Sequence, residues 1–179
     1  MQRKDNKNAF SLIEVVVAMA VFALALVAIS GIFLSIVKAQ RKANIAGKVQ
    51  VEARTMLDTI TAAVQNCDID YSAAITNPAE TLVLKNKNGE TVVFSKAGNR
   101  LMMSVGGSAN KDLMTDKVKV DKLKFWVNPN TDPFAIGGPN IQPTVTILLS
   151  LSQSAASSRP EDKASVQIQT TVTQRVYRR

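Results

Sequence analysis

The chain has one cysteine and no histidine among its 179 residues. Cys67 therefore cannot form an intramolecular disulfide, and the soluble part must be held together by packing or by partners. Without histidine, the usual zinc sites and a Ser-His-Asp triad are both excluded. The sequence also has no glycine-rich phosphate loop and no nucleophile–base set. We therefore predict a protein that is not an enzyme and that has no catalytic residues.

Acidic residues in the second half of the chain give little support for calcium binding. They are not spaced as a loop ligand set of the D-x-D-x-D-G kind. The acids concerned are Asp112, Asp116, Asp121 and Asp132. We therefore predict no metal site and no cofactor.

Aromatic residues make up only 5% of the chain, while its formal net charge is +8. A basic protein can bind nucleic acid or an anionic membrane surface. Here, however, the lysines between Lys85 and Lys124 are interspersed with acids, and few rings are available to stack on bases. Nucleic acid is therefore not expected as a partner, although a linear sequence cannot show whether folding gathers the cations into a patch.

Residues 15–37 carry no charge at all. As a helix they would be roughly 34 Å long, enough to cross a hydrocarbon core of about 30 Å. The stretch is longer than the apolar centre of a signal peptide, which has about 7–15 residues. It also lacks the polar face of an ordinary soluble helix. We therefore predict a transmembrane helix over residues 10–37.

The charges that flank this helix predict its orientation. Residues 1–9 contain Arg3, Lys4 and Lys7 against a single acid, Asp5. The positive-inside rule keeps such an end in the cytoplasm. The cations that follow the helix, from Lys38 onward, weaken the asymmetry. We predict a single-pass inner-membrane protein with a cytoplasmic N-terminus and its C-terminal domain outside.

One acid, Glu14, lies just inside the apolar stretch that begins at Phe10. An ionised carboxylate in this position costs up to a few kcal/mol, and charges inside a membrane segment mark function by default. Two interpretations remain open on physical grounds. The carboxylate is met by a cation from another molecule, or it extends to water at the membrane interface.

The local sequence resembles the processing site of the type IV pilin and type II secretion pseudopilin family. A short basic leader and a small residue precede Phe10, and Ser-Leu-Ile-Glu leads into the apolar run. The resemblance implies that a prepilin peptidase cuts between Ala9 and Phe10 and that the new N-terminus at Phe10 is methylated. It also implies that Glu14 neutralises the N-terminus of a neighbouring subunit during filament assembly. Ala9 replaces the usual glycine with the next smallest side chain.

After the membrane segment, residues 38–67 continue the helix with one apolar face. Its apolar side chains recur at spacings of three, four and seven residues. They are Ile45, Val49, Met56, Leu57, Ile60 and Val64.

The sequence pattern of residues 68–179 predicts a β-rich domain. A hairpin over residues 81–95 turns at Asn88-Gly89, and a further strand over residues 101–105 completes a meander. Residues 118–127 form a strand whose apolar phase flips near Asp121, which predicts a bulge or a break. After a loop over residues 128–143, two longer strands at 145–151 and 166–176 are joined by a polar linker.

These elements predict an α+β fold in which a long N-terminal helix packs on an antiparallel β-sheet, as in a pilin. The last strand resembles that of the larger minor pilins and minor pseudopilins. The resemblance implies a structural filament subunit, and the size of the β-rich domain favours a minor subunit. The expected partners are other subunits, prepilin peptidase, an inner-membrane assembly platform and lipid. Two alternatives remain: an unprocessed membrane anchor that carries a binding domain, and a pseudopilin of a DNA-uptake system.

Overall fold

The computed structural model describes residues 11–72, 75–136, 138, 140–154 and 159–175, with the backbone alone for Glu161. The predicted leader, the cleavage residues Ala9 and Phe10, and the C-terminal residues from Val176 onward lie outside this part of the chain. By its internal contacts the chain divides after Arg41 into two units. One helix, α1, spans Leu12–Asn66 and contributes to both units.

Within the second unit, α1 buries a single stripe of apolar side chains. The stripe follows the predicted spacing, and Gly47 does not interrupt the helix. Ile45, at the start of the predicted stripe, is only half-buried. The buried members are Val49, Ala53, Met56, Leu57, Ile60 and Val64.

The first sheet is antiparallel and has five strands in the order β1-β2-β3-β4-β5. Its centre is the predicted meander, in which Gly89 of the first hairpin turn takes a φ of 79°. Two outer strands of two residues each were missed by the sequence analysis. The strands are β1 (Asp68–Ile69), β2 (Thr81–Lys85), β3 (Thr91–Ala97), β4 (Arg100–Val105) and β5 (Lys111–Asp112).

The second sheet has three antiparallel strands in the order β6-β7-β8. They are β6 (Val118–Asn128), β7 (Thr144–Gln153) and β8 (Ser165–Thr173). The register of β6 against β7 shifts between Val120 and Lys122, so the predicted irregularity is a β-bulge within one strand. A short 3₁₀ helix, Pro160–Asp162, precedes β8 in the predicted polar linker.

The helical stripe and both sheets share one hydrophobic core. The expected single sheet is thus divided in two, and the buried side chains of both sheets join those of the helix. A short bridge joins the layers: the Ala79 N–H donates to the Phe125 carbonyl at 2.8 Å, and the Phe125 N–H donates back at 2.9 Å. Phe125 itself is fully buried. The architecture is α+β and pilin-like.

A buried glutamine fastens the end of β8 to the end of α1. Gln174 is 3% exposed, and its Nε2 donates to the Cys67 carbonyl at 3.0 Å and to Asp68 Oδ1 at 2.9 Å. Its backbone N–H donates to the Pro143 carbonyl at 3.0 Å. The two side-chain bonds join residues more than a hundred positions apart, in a domain that no disulfide holds.

Truncation of Ile60 tests the shared core. Ile60→Ala removes a fully buried side chain and should lower the free energy of unfolding by about 2–5 kcal/mol. Val51→Ala is the matched control, since Val51 is 65% exposed on the same helix and should change stability by no more than about 0.5 kcal/mol. Urea unfolding of the full chain in detergent, followed by the fluorescence of Trp126, measures both. Equal effects would show that this helical face is not packed on the sheets.

Removal of the Gln174 side chain tests the fastening. Gln174→Ala leaves the buried carbonyl of Cys67 without its donor, so we expect a loss of about 1–3 kcal/mol of unfolding free energy. Gln167→Ala, on the exposed face of β8, is the control and should be close to neutral. The same urea titration applies. A Gln174→Ala protein as stable as the control would contradict the structural role.

Candidate functional site

The first unit presents an apolar helix with no protein cover. Every described residue from Ser11 to Arg41 is exposed, and an 18-residue window of the helix has a mean hydropathy of 2.9. By length and composition α1 can cross a membrane. Exposed apolar surface on this scale is not stable in water, so lipid or other apolar helices must cover it.

The backbone polar groups of this segment are satisfied along the helix. Backbone N–H and C=O groups bond along an α-helix, which is one of the few structures that can span a bilayer. The hydroxyl of Ser30 is also satisfied, because Ser30 Oγ donates to the Leu26 carbonyl at 2.7 Å. Between Ser11 and Val37 the segment carries one charged group, a carboxylate.

That carboxylate, on Glu14, forms a reciprocal cap with Ser11. The Ser11 N–H donates to Glu14 Oε2 at 3.1 Å, and the Ser11 hydroxyl lies 3.3 Å from the same oxygen. In return the Glu14 N–H donates to Ser11 Oγ at 3.3 Å. This is a capping box, which satisfies two N–H groups at the start of a helix. The negative charge also lies at the end of the helix that favours it.

Glu14 remains accessible while it caps the helix. Its side chain is exposed and borders a shallow groove of about 310 Å³ with Ile13, Val17 and Ala18. Ala18 lies one turn further along the helix and is too small to cover the carboxylate. Both described bonds use Oε2, and among the described residues Oε1 accepts none. One carboxylate oxygen is thus available to a cation from outside the chain.

The capping box was missed by the sequence analysis, although its signal was present. Ser11 followed three residues later by Glu14, directly before an apolar run, is the sequence signature of this motif. Of the other predicted site residues, Ala9 and Phe10 lie outside the described part of the chain. Phe10 directly precedes Ser11 in sequence, so a new N-terminus at Phe10 would lie one residue from the cap.

The described residues show no group of three or more metal-binding side chains. Three of the acids considered for calcium pair with cations instead, and Asp121 Oδ1 lies 3.7 Å from Lys119 Nζ. The other two share one cation. Arg100 Nε lies 2.5 Å from Asp112 Oδ2, and a terminal nitrogen of the same guanidinium lies 3.2 Å from Asp116 Oδ1. The hydrogen bond to Asp112 is the main reason that the pKa of Arg100 is raised. These acids stabilise a loop and its neighbouring strand.

Cys67 is buried at the junction of α1 and β1. Burial raises the pKa of its thiol, and the neighbouring Asp68 carboxylate raises it further. A raised pKa and poor access both suppress thiolate chemistry. Cys67 therefore acts as a small apolar core residue.

The comparison with protein families gives one match. The model of the prokaryotic N-terminal methylation motif, which is the signature of type IV pilins and pseudopilins, matches residues 4–30. The matched stretch contains the basic leader, Glu14 with its cap, and the first half of the exposed apolar helix. No curated protein and no solved structure gives a significant match to the chain. The matched motif is typical of processed pilin and pseudopilin subunits, which anchor in the membrane and assemble with other subunits.

Proposed function

We propose that this chain is a minor pilin or minor pseudopilin, a structural subunit near the tip of a type IV pilus-like filament. The observation that carries the proposal is the coincidence of the methylation signature with an uncovered apolar helix that holds a single accessible carboxylate. In the described part of the chain, two sheets with eight strands follow that helix, more than the simplest subunit needs. No catalytic role is proposed.

Processing precedes assembly in this proposal. A prepilin peptidase removes residues 1–9 on the cytoplasmic side by cutting between Ala9 and Phe10, and the new N-terminus at Phe10 is methylated. The bond that is cut lies ahead of Leu12, the first residue of α1, so the cut leaves the helix and its capping box whole. Removal of the leader also exposes an amine at the edge of the apolar layer.

Assembly then brings opposite charges together. The free oxygen of Glu14 accepts a hydrogen bond from the charged N-terminal amine of a neighbouring subunit. Two opposite charges attract strongly in a low-dielectric layer, and each is costly if it stays unpaired there. The pairing sets the relative position of two subunits along the apolar bundle. Repeated head-to-tail contacts that do not close produce a filament.

The proposed location in the inner membrane follows from the apolar helix. Residues 10–37 span the inner membrane before assembly and enter the filament core afterwards. Residues 38–67 continue as the amphipathic helix, and residues 68–179 form the β-rich domain outside the membrane. The partners are other pilin-like subunits, the peptidase, the inner-membrane assembly platform and lipid. The basic leader supports a cytoplasmic N-terminus.

One observation favours a second function, that of an unprocessed anchor carrying a binding domain. The capping box gives Glu14 a role within its own chain, so a neighbouring subunit is not needed to explain the acid. In that case lipid alone covers the helix. The two functions differ in whether the negative charge of Glu14 is required or only its hydrogen bonds.

Substitutions at Glu14 separate these functions. Glu14→Gln keeps the capping geometry, because glutamine serves equally at this position of a capping box, but it removes the charge. We expect membrane insertion to be unchanged and incorporation into filaments to fall by about tenfold or more, as loss of a charge-assisted bond implies. Glu14→Ala loses both cap and charge and should be at least as defective. Immunoblots of sheared filaments against membrane fractions measure incorporation.

The glutamine variant is the decisive one. Normal incorporation of Glu14→Gln together with poor incorporation of Glu14→Ala would assign the residue to capping and remove the proposed charge pair. Normal incorporation of both would remove the role of Glu14 altogether.

Substitutions at Ala9 test the processing step. Ala9→Val should slow cleavage, because the site resembles one that requires a small side chain, whereas Ala9→Gly should be cut at least as fast as the parent. Intact mass and N-terminal sequencing of membrane-extracted protein, from cells that contain the peptidase, distinguish Met1 from Phe10 as the first residue. A parent chain that still begins at Met1 in such cells would support the unprocessed anchor.

A further inference from the structure

The two sheets have four edges, and three of them are protected. The first sheet ends in β1 and β5, which have two residues each and so offer few free backbone groups. Very short edge strands are one of the ways in which proteins prevent unwanted strand pairing. The second sheet ends in β6 and β8, which are 11 and 9 residues long.

The outer edge of β6 is covered by the chain itself. Phe125 exchanges two backbone bonds with Ala79. Val127 donates its N–H to Asn77 Oδ1 at 2.9 Å, and its carbonyl accepts from Asn77 Nδ2 at 2.7 Å. The Val120 N–H donates to the Asn99 carbonyl at 2.8 Å. A bulge and four charged side chains, from Lys119 to Lys124, further discourage pairing on this side.

Within the described residues, the outer edge of β8 has none of these features. β8 pairs with β7 on one side in an unbroken register. The Gln174 N–H and the Ala164 carbonyl bond towards β7, so even-numbered residues face β7 and odd-numbered ones face outward. In the described part of the chain, no group bonds to the outward N–H and C=O groups. Those groups belong to Ser165, Gln167, Gln169, Thr171 and Thr173.

The composition of β8 suits strand pairing. Its nine residues, SVQIQTTVT, include no charge, no proline and no glycine. Threonine, valine and isoleucine favour extended structure, and the exposed glutamine and threonine side chains can bond across strands. Thr61, Gln65 and Gln142 border a polar groove of about 410 Å³ together with the last residues of β8.

The charges at the two ends of β8 indicate what kind of strand would bind. Lys163 precedes the strand and Arg175 follows it, and both are exposed. A second copy paired antiparallel about Gln169 would place Lys163 opposite Arg175 at both ends, and like charges directly opposite one another are destabilising. A strand with an acid at each end would instead meet a cation at each end.

We propose that the free edge of β8 receives an extended segment of another protein as an added strand. The segment has an uncharged, β-prone centre and an acidic residue at each end. Backbone hydrogen bonds to the outward groups of β8 supply affinity, while the flanking cations select the ends. The proposal rests on the β-rich domain alone and does not require cleavage, methylation or filament assembly.

The test uses the full chain in detergent and a labelled peptide, acetyl-Glu-Gln-Thr-Val-Thr-Gln-Thr-Val-Thr-Val-Thr-Gln-Glu-amide, with fluorescence anisotropy. The two Glu residues of this peptide are as far apart in sequence as Lys163 and Arg175. We expect saturable binding that weakens with salt, and at least about tenfold weaker binding when both Glu residues of the peptide are Lys. Gln169→Pro should abolish binding. The proline removes an outward N–H and breaks no bond to β7, and proline is tolerated on an edge strand in this orientation. Gln169→Thr keeps the donor and should bind as the parent does.

A second measurement does not depend on any protein variant. N-methylation of alternate peptide amides should abolish binding for one of the two possible alternating sets and spare the other, because an added strand presents only one set to β8. Loss of binding with one methylated set and retention of binding with the other would support strand addition.

Three results of the peptide measurements would overturn the proposal: no saturable binding up to about 1 mM peptide, equal binding by a folded Gln169→Pro chain, or equal effects of the two methylated sets. Dimerisation of the chain itself that Gln169→Pro abolishes would assign the edge to a second copy and also overturn it. If Glu14→Gln does not alter filament incorporation, the proposed charge pair is contradicted. The proposal for the β8 edge would still stand, because its test does not depend on Glu14.

Discussion

The first constraint on this molecule is that a long apolar helix surface has no cover from its own chain. From Ser11 to Arg41 every described residue is exposed, and Glu14 is the single charge within the apolar stretch. An apolar surface without cover is unstable in water, and a carboxylate without a partner is unstable in lipid. The environment of the first half of α1 must therefore satisfy both requirements. A membrane meets the first, and an assembled bundle of such helices with paired termini meets both.

The second half of α1 also has apolar side chains that need cover, but their arrangement along the helix is different. There the apolar residues narrow to one stripe, from Val49 to Val64, and the sheets cover that stripe. The helix thus changes from uniformly apolar to amphipathic along its sequence without a break in its backbone. A domain with no disulfide needs further fastening at its ends, and Gln174 provides it by bonding the end of β8 to Cys67 and Asp68.

Features with a strong local signal could be predicted from the sequence. The helical stripe, the hairpin at Gly89 and the bulge near Asp121 each follow from a period or from turn chemistry, and all three are present. The short strands β1 and β5 and the division into two sheets depend on tertiary contacts, which no local pattern encodes. Gln174 looked like any other polar residue of the last strand, since its burial depends on residues far away in sequence. At the candidate site, Glu14 stood out by its charge, whereas its bonds to Ser11 went unnoticed although the spacing signals them.

The capping box changes how the charge of Glu14 should be understood. An acid that served only a neighbouring subunit would be an unpaired charge in the membrane until that subunit arrived. The bonds from Ser11 to Oε2 reduce that cost, because they satisfy part of the carboxylate within its own helix and orient the rest of it. The remaining oxygen is then held at the edge of a shallow groove, where an amine can reach it. A cap within the chain and the proposed ion pair between chains are therefore compatible, because the cap uses Oε2 and leaves the other oxygen accessible.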